Sequence, residues 1–380
     1  MFGEKRDPAF TSGVWYSQQD SREIKKSCIS AEVVAAVDVN TVANEVYKHN
    51  FPSTPLWAKT IEGITLAELN RLSFDMILMS PPCQPFTRLQ RLPKYILLEN
   101  VKGFETSSAR DKLVETLKKC GFKYQEFLLS PTYLGIPNSR LRYFLIAKLQ
   151  SELLSFQAPG QILENFPDQE PKASVKHRVA AGLEKESSFT SPEEEHIEPN
   201  SGSDAGSRQC SQKEAFVFKL ETAKEMERKR NQDSDLSIQM LKDFLEEDGE
   251  EMSQYFLPPK ALLRYAFLLD IVTPSCRRST CFTKGYGHYV EGTGSVLQTA
   301  EDVQLESVFK SIEMLSEEEK LMKLSTLKLR YFTPREIENL HGFPPEFGFP
   351  DKITMKQRYR LLGNSLNVHV VAKLISLLTG

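Results

Sequence analysis

Phe74-Asp75-Met76-Ile77-Leu78-Met79-Ser80-Pro81-Pro82-Cys83-Gln84 is the stretch on which the reading of this chain turns. A short apolar run closed by prolines reads as a buried strand, and this one hands a cysteine to a loop stiffened by Pro81 and Pro82. Open α/β sheets hold their ligands at that edge. Cys83 is therefore a candidate nucleophile. The plain alternative is a small buried apolar side chain, which free cysteines often are.

Working outward, strands alternate with helices. Val33-Val34-Ala35-Ala36-Val37 reads as a strand ending in Asp38, and Thr41 to His49 as a helix. Tyr95-Ile96-Leu97-Leu98 is another strand, ending in Glu99-Asn100. Thr106 to Cys120 reads as a helix, with Ser and Thr as capping choices, lysines in its last turn and Gly121 as its stop. Phe122 to Leu129 and Leu141 to Ala147 are further strands. The pattern predicts an α/β protein with a doubly wound, mostly parallel sheet.

The chain divides by composition. Residues 1–28 are a polar N-terminus, 29–150 the strand–helix region, and 151–215 a Pro-, Ser-, Glu- and Gly-rich insert that reads as linker or disorder. Residues 216–330 form a second, smaller region, in which Ser237 to Phe244 looks helical. Residues 331–380 close the chain with a helix after Thr333-Pro334 and an amphipathic helix from Leu366. A net charge of −3 gives no global sign of nucleic-acid binding, so such a role must rest on local basic patches. The six cysteines, at 28, 83, 120, 210, 276 and 281, form no CxxC pair and no zinc-like spacing with histidine. With no secretory signal and no apolar run of transmembrane length, the expectation is a cytoplasmic or nuclear protein with free thiols, no structural metal and no membrane partner.

Three other features gather at the strand ends. Asp38 stands where nucleoside-binding folds place an acid on ribose hydroxyls, although an Asp there is as often a helix cap. Glu99 is a carboxylate beside an apolar run, which is costly unless it is paired or functional. Arg140 and Arg142 lie two apart on an expected strand and so share a face, where they would hold an anion or carboxylate. An exposed sheet face is the competing reading.

Taken in order, Asp38, Pro81-Pro82-Cys83, Glu99-Asn100-Val101, Arg140-x-Arg142 and Gly363-Asn364-Ser365 resemble the cytosine-C5 methyltransferases. Cys281-Phe282-Thr283 resembles the hallmark tripeptide of the branch that modifies aspartate transfer RNA. The resemblance implies a Rossmann-like methyltransferase sheet with a smaller target-recognition domain, S-adenosyl-L-methionine as cofactor, and tRNA-Asp as the partner of a monomer. It implies Cys83 as nucleophile, Glu99 as the acid on ring N3, and Arg140 and Arg142 as supporting cations. It places Asp38 on the cofactor's ribose, Ile61 and Glu62 beside its adenine, Ser80 nearby, and Asn364 with Ser365 over its methionine end. Cys281 is read as structural or RNA-facing. Arg277, Arg278 and Lys284, interleaved with Tyr286 and Tyr289, form the expected patch for phosphates and bases, and Lys352, Lys356, Arg358 and Arg360 form another.

Two family features are missing. A strand and glycine-rich turn should precede Asp38 by about 20 residues, yet the window Ser12-Gly13-Val14-Trp15-Tyr16-Ser17-Gln18-Gln19 holds one glycine. Thr87-Arg88 then runs almost directly into Leu89-Gln90-Arg91-Leu92-Pro93, where the family places a long loop and a helix. Parallel neighbours need a crossover of about a dozen residues or more. The expectation is a tRNA cytosine-C5 methyltransferase whose activity is impaired in this chain. An inactive RNA-binding relative and a DNA cytosine-C5 methyltransferase stand as alternatives.

Overall fold

The computed structural model describes residues 32–80, 92–149, 160–167, 223–247, 249–288, 292–312 and 314–379. Cys83, the window 12–19, residues 168–222 and Tyr289 lie outside them. Part of the insert expected at 151–215 is described, at 160–167, where Ile162–Leu163 form a strand rather than linker.

The first strand is shorter than expected: β1 (Ala36–Val37) pairs in parallel with β2 (Leu56–Trp57). Polar caps then turn the chain into its first helix. Asp38 Oδ1 accepts the Asn40 N–H at 2.8 Å, and Asn40 Oδ1 accepts from Val42 and Ala43, starting the helix Thr41–Asn50. That helix buries Ala43, Val46 and Tyr47, the i, i+3, i+4 stripe of an amphipathic helix.

Five strands form the main sheet: β3 (Met76–Met79), β4 (Tyr95–Val101), β5 (Phe122–Leu129), β6 (Arg142–Leu149) and β7 (Ile162–Leu163), in the order β3-β4-β6-β5-β7. Glu99-Asn100-Val101 thus continue β4 rather than trail it, and Arg140 lies just ahead of β6. The β3–β4 and β5–β7 pairs are parallel, while β4–β6 and β5–β6 are antiparallel. The sheet is less parallel than its sequence predicts, because the loop from β5 to β6 carries only the 3-10 turn Pro131–Leu134 and no crossover helix.

Strand parity sorts the core onto two faces. Leu97, Phe144 and Ile146 lie under the closing helix Val368–Thr379, against Val370, Val371, Leu374, Ile375 and Leu378. Ile96, Leu98, Tyr143, Leu145 and Ala147 face the helix Ser108–Lys119 through Leu113, Val114 and Leu117. Helices on both faces make the doubly wound layer arrangement. On the second face Glu126 is buried and held by Arg110 at 2.7 and 2.5 Å and by the Tyr143 hydroxyl at 2.7 Å, which ties that helix to the sheet.

A smaller sheet is built from β8 (Ile271–Val272), β9 (Val296–Gln298) and β10 (Leu329–Arg330), in the order β10-β9-β8. It packs with the helices Pro259–Tyr265, Leu305–Ser311 and Glu317–Ser325. Ser237 to Phe244, expected to be helical, forms only the 3-10 turn Leu241–Phe244. The described residues on both sides of the insert belong to one compact unit. Met355–Thr379 is long and apolar enough to cross a membrane, contrary to the expectation from sequence. It is two helices, Met355–Asn364 and Val368–Thr379, and the second spends its apolar face on the core.

Candidate active site

Antiparallel register places the key charges. Val101 pairs with Arg142 and Glu99 with Phe144, so the Glu99 and Arg142 side chains share the face of Leu97 and Phe144. Arg142 Nε lies 3.5 Å from Glu99 Oε1, with the two side chains 19% and 13% exposed. Burial raises the Glu99 pKa above its ordinary value, and Arg142 and Arg140 pull it back only in part. Such a carboxyl is suited to hold a proton and donate it. On the neighbouring strand Met79 pairs with Leu98, so the end of β3 lies beside Glu99. Cys83 itself is outside the described residues.

Arg140 is fully enclosed. Its Nη1 donates to Cys281 Sγ at 3.2 Å and to the Phe282 carbonyl at 2.9 Å. Its Nη2 donates to the Gly363 carbonyl at 3.0 Å and to the Ser365 carbonyl. Arg142 Nη2 reaches the same Cys281 sulfur at 3.6 Å. The structure therefore brings Glu-Asn-Val, Arg-x-Arg, Cys-Phe-Thr and Gly-Asn-Ser together. Cys281 sits within this assembly as an acceptor for two guanidinium groups.

Two participants carried no sequence signal of their own. Asn138 is fully buried and donates to Ser279 Oγ at 3.0 Å and to the Thr280 carbonyl at 3.1 Å, fastening the β5–β6 loop to the strand of chain before Cys281. Its setting between Pro137 and Arg140 was the one hint available. His341 is buried, with Nδ1 3.1 Å from Ser365 Oγ. Burial, with Arg140 and Arg142 nearby, holds its pKa well below the ordinary value, so the imidazole is neutral. The Ser365 hydroxyl donates to the Leu362 carbonyl at 2.7 Å, so it accepts from His341 and fixes the tautomer with its proton on Nδ1.

On the cofactor side, Asp38 is buried at the tip of β1, and Ile61 opens a half-exposed 3-10 turn whose Glu62 side chain is outside the description. Ser80 comes directly after β3, Asn364 ends its helix half-buried, and Ser365 is buried beyond it. An acid at a βα turn, with its orientation fixed by the Asn40 amide, and an amide side chain at the closing segment have the chemistry to hold a ribose and an amino-acid end.

The expected RNA patch divides. Lys284 is exposed. Arg278 is buried, with Nε 3.2 Å from Asp233 and Nη1 3.0 Å from Asp270, so its charge is directed inward and away from a phosphate. Arg277 donates to the Ile238 carbonyl and, through its backbone N–H, to Asp233. Tyr286 is buried among Phe282, Tyr331 and Tyr359, which removes it from base stacking. In the second patch, Lys352 pairs with Glu45 at 3.1 Å and Arg358 lies over Phe349, while Lys356 and Arg360 are exposed.

Comparison with known proteins gives the frame. The family described as C-5 cytosine-specific DNA methylase matches residues 23–90 and 88–379, its two segments meeting at the abrupt join after Cys83. The chain is 66% identical to human tRNA (cytosine(38)-C(5))-methyltransferase over 379 residues, covering 93% of this chain and 95% of that one. It is 34% identical to a Dictyostelium discoideum DNA (cytosine-5)-methyltransferase over 382 residues, covering 93% and 90%. The crystal structure of a mutant of Spodoptera frugiperda DNMT2 superposes with a TM-score of 0.68 at 34% identity, covering 94% of this chain and 95% of that one. With the family's motifs assembled around Glu99 and its profile spanning most of the chain, the protein is a member of the C-5 cytosine-specific methyltransferase family.

Proposed function

We propose that this chain is a tRNA cytosine-C5 methyltransferase directed at cytosine 38 in the anticodon loop of tRNA-Asp. The observation that carries the reading is the Cys281-Phe282 segment bound to Arg140 and Arg142 beside Glu99, in a chain 66% identical to the human tRNA enzyme. The 34% identity to a DNA-directed relative makes duplex DNA the weaker alternative.

The chemistry comes from the residues. Carbon 5 of cytosine is a poor nucleophile, so the Cys83 thiolate adds to carbon 6 while Glu99, whose hold on its proton burial strengthens, donates to ring N3. The ring becomes an enamine at carbon 5. Asp38 and Asn364 would hold S-adenosyl-L-methionine, which would supply an electrophilic methyl on sulfonium sulfur and leave as the thioether. Once methylated, carbon 5 loses its proton to a base, the C6–S bond breaks, the Cys83 thiolate is restored and ring N3 returns its proton to Glu99. The target base must leave its stack to reach this site.

A second observation favours impaired turnover in this chain. The family match breaks at residues 88–90, and the human alignment runs over 379 positions while covering only 93% of these 380 residues, so the relative carries residues this chain lacks. The decisive experiment measures S-adenosyl-L-methionine binding and methyl transfer to unmodified tRNA-Asp, with Cys83→Ala as control. Slow transfer abolished in the control supports the whole reading, and fast transfer overturns the impairment. Preferential methylation of duplex DNA overturns the tRNA assignment.

A further inference from the structure

The geometry points to Arg140 as a positioning residue that couples the two ligand-binding halves of the site, so that cofactor at Gly363–Ser365 and RNA at the Cys281–Lys284 segment strengthen each other's binding. This rests on the proposed function for the identity of the two ligands. The coupling itself rests on the clasp.

Arg140 has no terminal N–H left for a substrate. Both Nη1 protons go to the recognition segment, at Cys281 and Phe282, and both Nη2 protons go to the closing segment, at Gly363 and Ser365. The Nε atom is buried without a partner among the described residues. A guanidinium is planar and rigid, so a shift of one pair of acceptors misaligns the other pair. Letting go is costly, because it strands a buried charge. The two segments therefore exchange between discrete arrangements rather than loosening by degrees.

Gly363 supplies an independent constraint. A Cβ at that position would lie 2.2 Å from the Thr283 carbonyl carbon and 2.3 Å from the Lys284 nitrogen, so the two backbones are in direct contact. Arg142, the first residue of β6, reaches both Cys281 and Glu99 and carries the arrangement to the expected catalytic acid. An arginine acting as a cation on the target base would need a donor aimed at the ligand. Here all four terminal N–H groups face protein acceptors.

The test is hydrogen exchange of residues 281–284 and 361–367 in the full chain, with S-adenosylhomocysteine or unmodified tRNA-Asp as probes. In wild type each probe should slow exchange in both segments, and each should tighten the other's Kd by on the order of tenfold. Arg140→Lys keeps the charge but not the four-acceptor geometry. In it each probe should protect only its own segment, and the mutual gain in Kd should fall to about one. Gly363→Ala separates the same joint from the other side with Arg140 intact, and decides the matter if Arg140→Lys fails to fold. Reciprocal protection surviving in the folded variants overturns the coupling, as does its absence in wild type. If tRNA protects neither segment, the RNA reading fails, and the coupling is judged by whether S-adenosylhomocysteine alone protects 281–284. A wild-type protein that neither probe alters overturns both.

Discussion

Replacing Arg142 with methionine removes the cation 3.5 Å from the Glu99 carboxylate while keeping much of the side-chain volume. Two unit charges at that distance attract by about 5 kcal/mol at an effective dielectric constant of about 20. Burial already outweighs this attraction and keeps the Glu99 pKa above its ordinary value. Without Arg142 the carboxyl should hold its proton to still higher pH. The sign comes from linkage. The folded protein binds this proton more tightly than the unfolded chain, so stability is greatest below the ordinary carboxylate range and falls as pH rises, until the folded group ionises. Inside that window the loss is about 1.4 kcal/mol per pH unit, and Arg142→Met extends the window upward. Urea unfolding at several pH values, for wild type, Arg142→Met, Glu99→Gln and the double variant, measures this without requiring turnover. The stability gap between Arg142→Met and wild type should widen with pH and lose its pH dependence in the Glu99→Gln background. A gap independent of pH, or one untouched by Glu99→Gln, refutes the reasoning.

Three further outcomes are expected. Arg330→Met leaves the fully buried Glu336 without the arginine that holds it at 2.8 and 2.6 Å, and should cost about 3–5 kcal/mol in chemical denaturation. Burial raises the Glu338 pKa to about 7 against the pull of Arg335, so the melting temperature should decline as pH rises from the ordinary carboxylate range toward that value and level off above it, and Glu338→Gln should flatten the decline. Arg278→Met should lower the melting temperature by unpairing Asp233, with tRNA affinity of the folded protein unchanged, whereas Lys284→Ala should weaken tRNA binding and reduce its salt dependence by about one counterion.

What the sequence disclosed and what it withheld differ in physical range. Strand β5 has the limits its apolar and turn residues predict, Phe122 to Leu129, and the helix after Thr333-Pro334 starts on a capping box with Glu336. These are local patterns. The gathering of Glu99, Arg142, Cys281 and Ser365 was legible only as an ordered set of motifs, since no local rule states that Arg140 will find carbonyls in two distant segments. Arg278 shows the limit more sharply. A basic residue beside aromatics reads as a phosphate contact, but its fate is decided by Asp233 and Asp270, which arrive from other elements. Tyr286 is likewise withdrawn by Ser295, whose carbonyl accepts its hydroxyl at 2.7 Å. The parallel pattern expected of the sheet fails where the β5–β6 connection lacks a helix, a property of one twelve-residue loop.

The clasp at Arg140 also bears on how the protein is made. Its contacts join residues 141 and 142 positions apart on one side and 223 and 225 positions apart on the other. Closing loops of that length costs entropy that only late, cooperative packing can return. On a ribosome adding about 5–20 residues per second, the site stays unassembled for many seconds after Arg140 emerges, until Ser365 is available. During that interval a buried-to-be guanidinium and the free Cys281 thiol stand open to other partners, so assembly of this site is timed by the arrival of the Gly363–Ser365 segment.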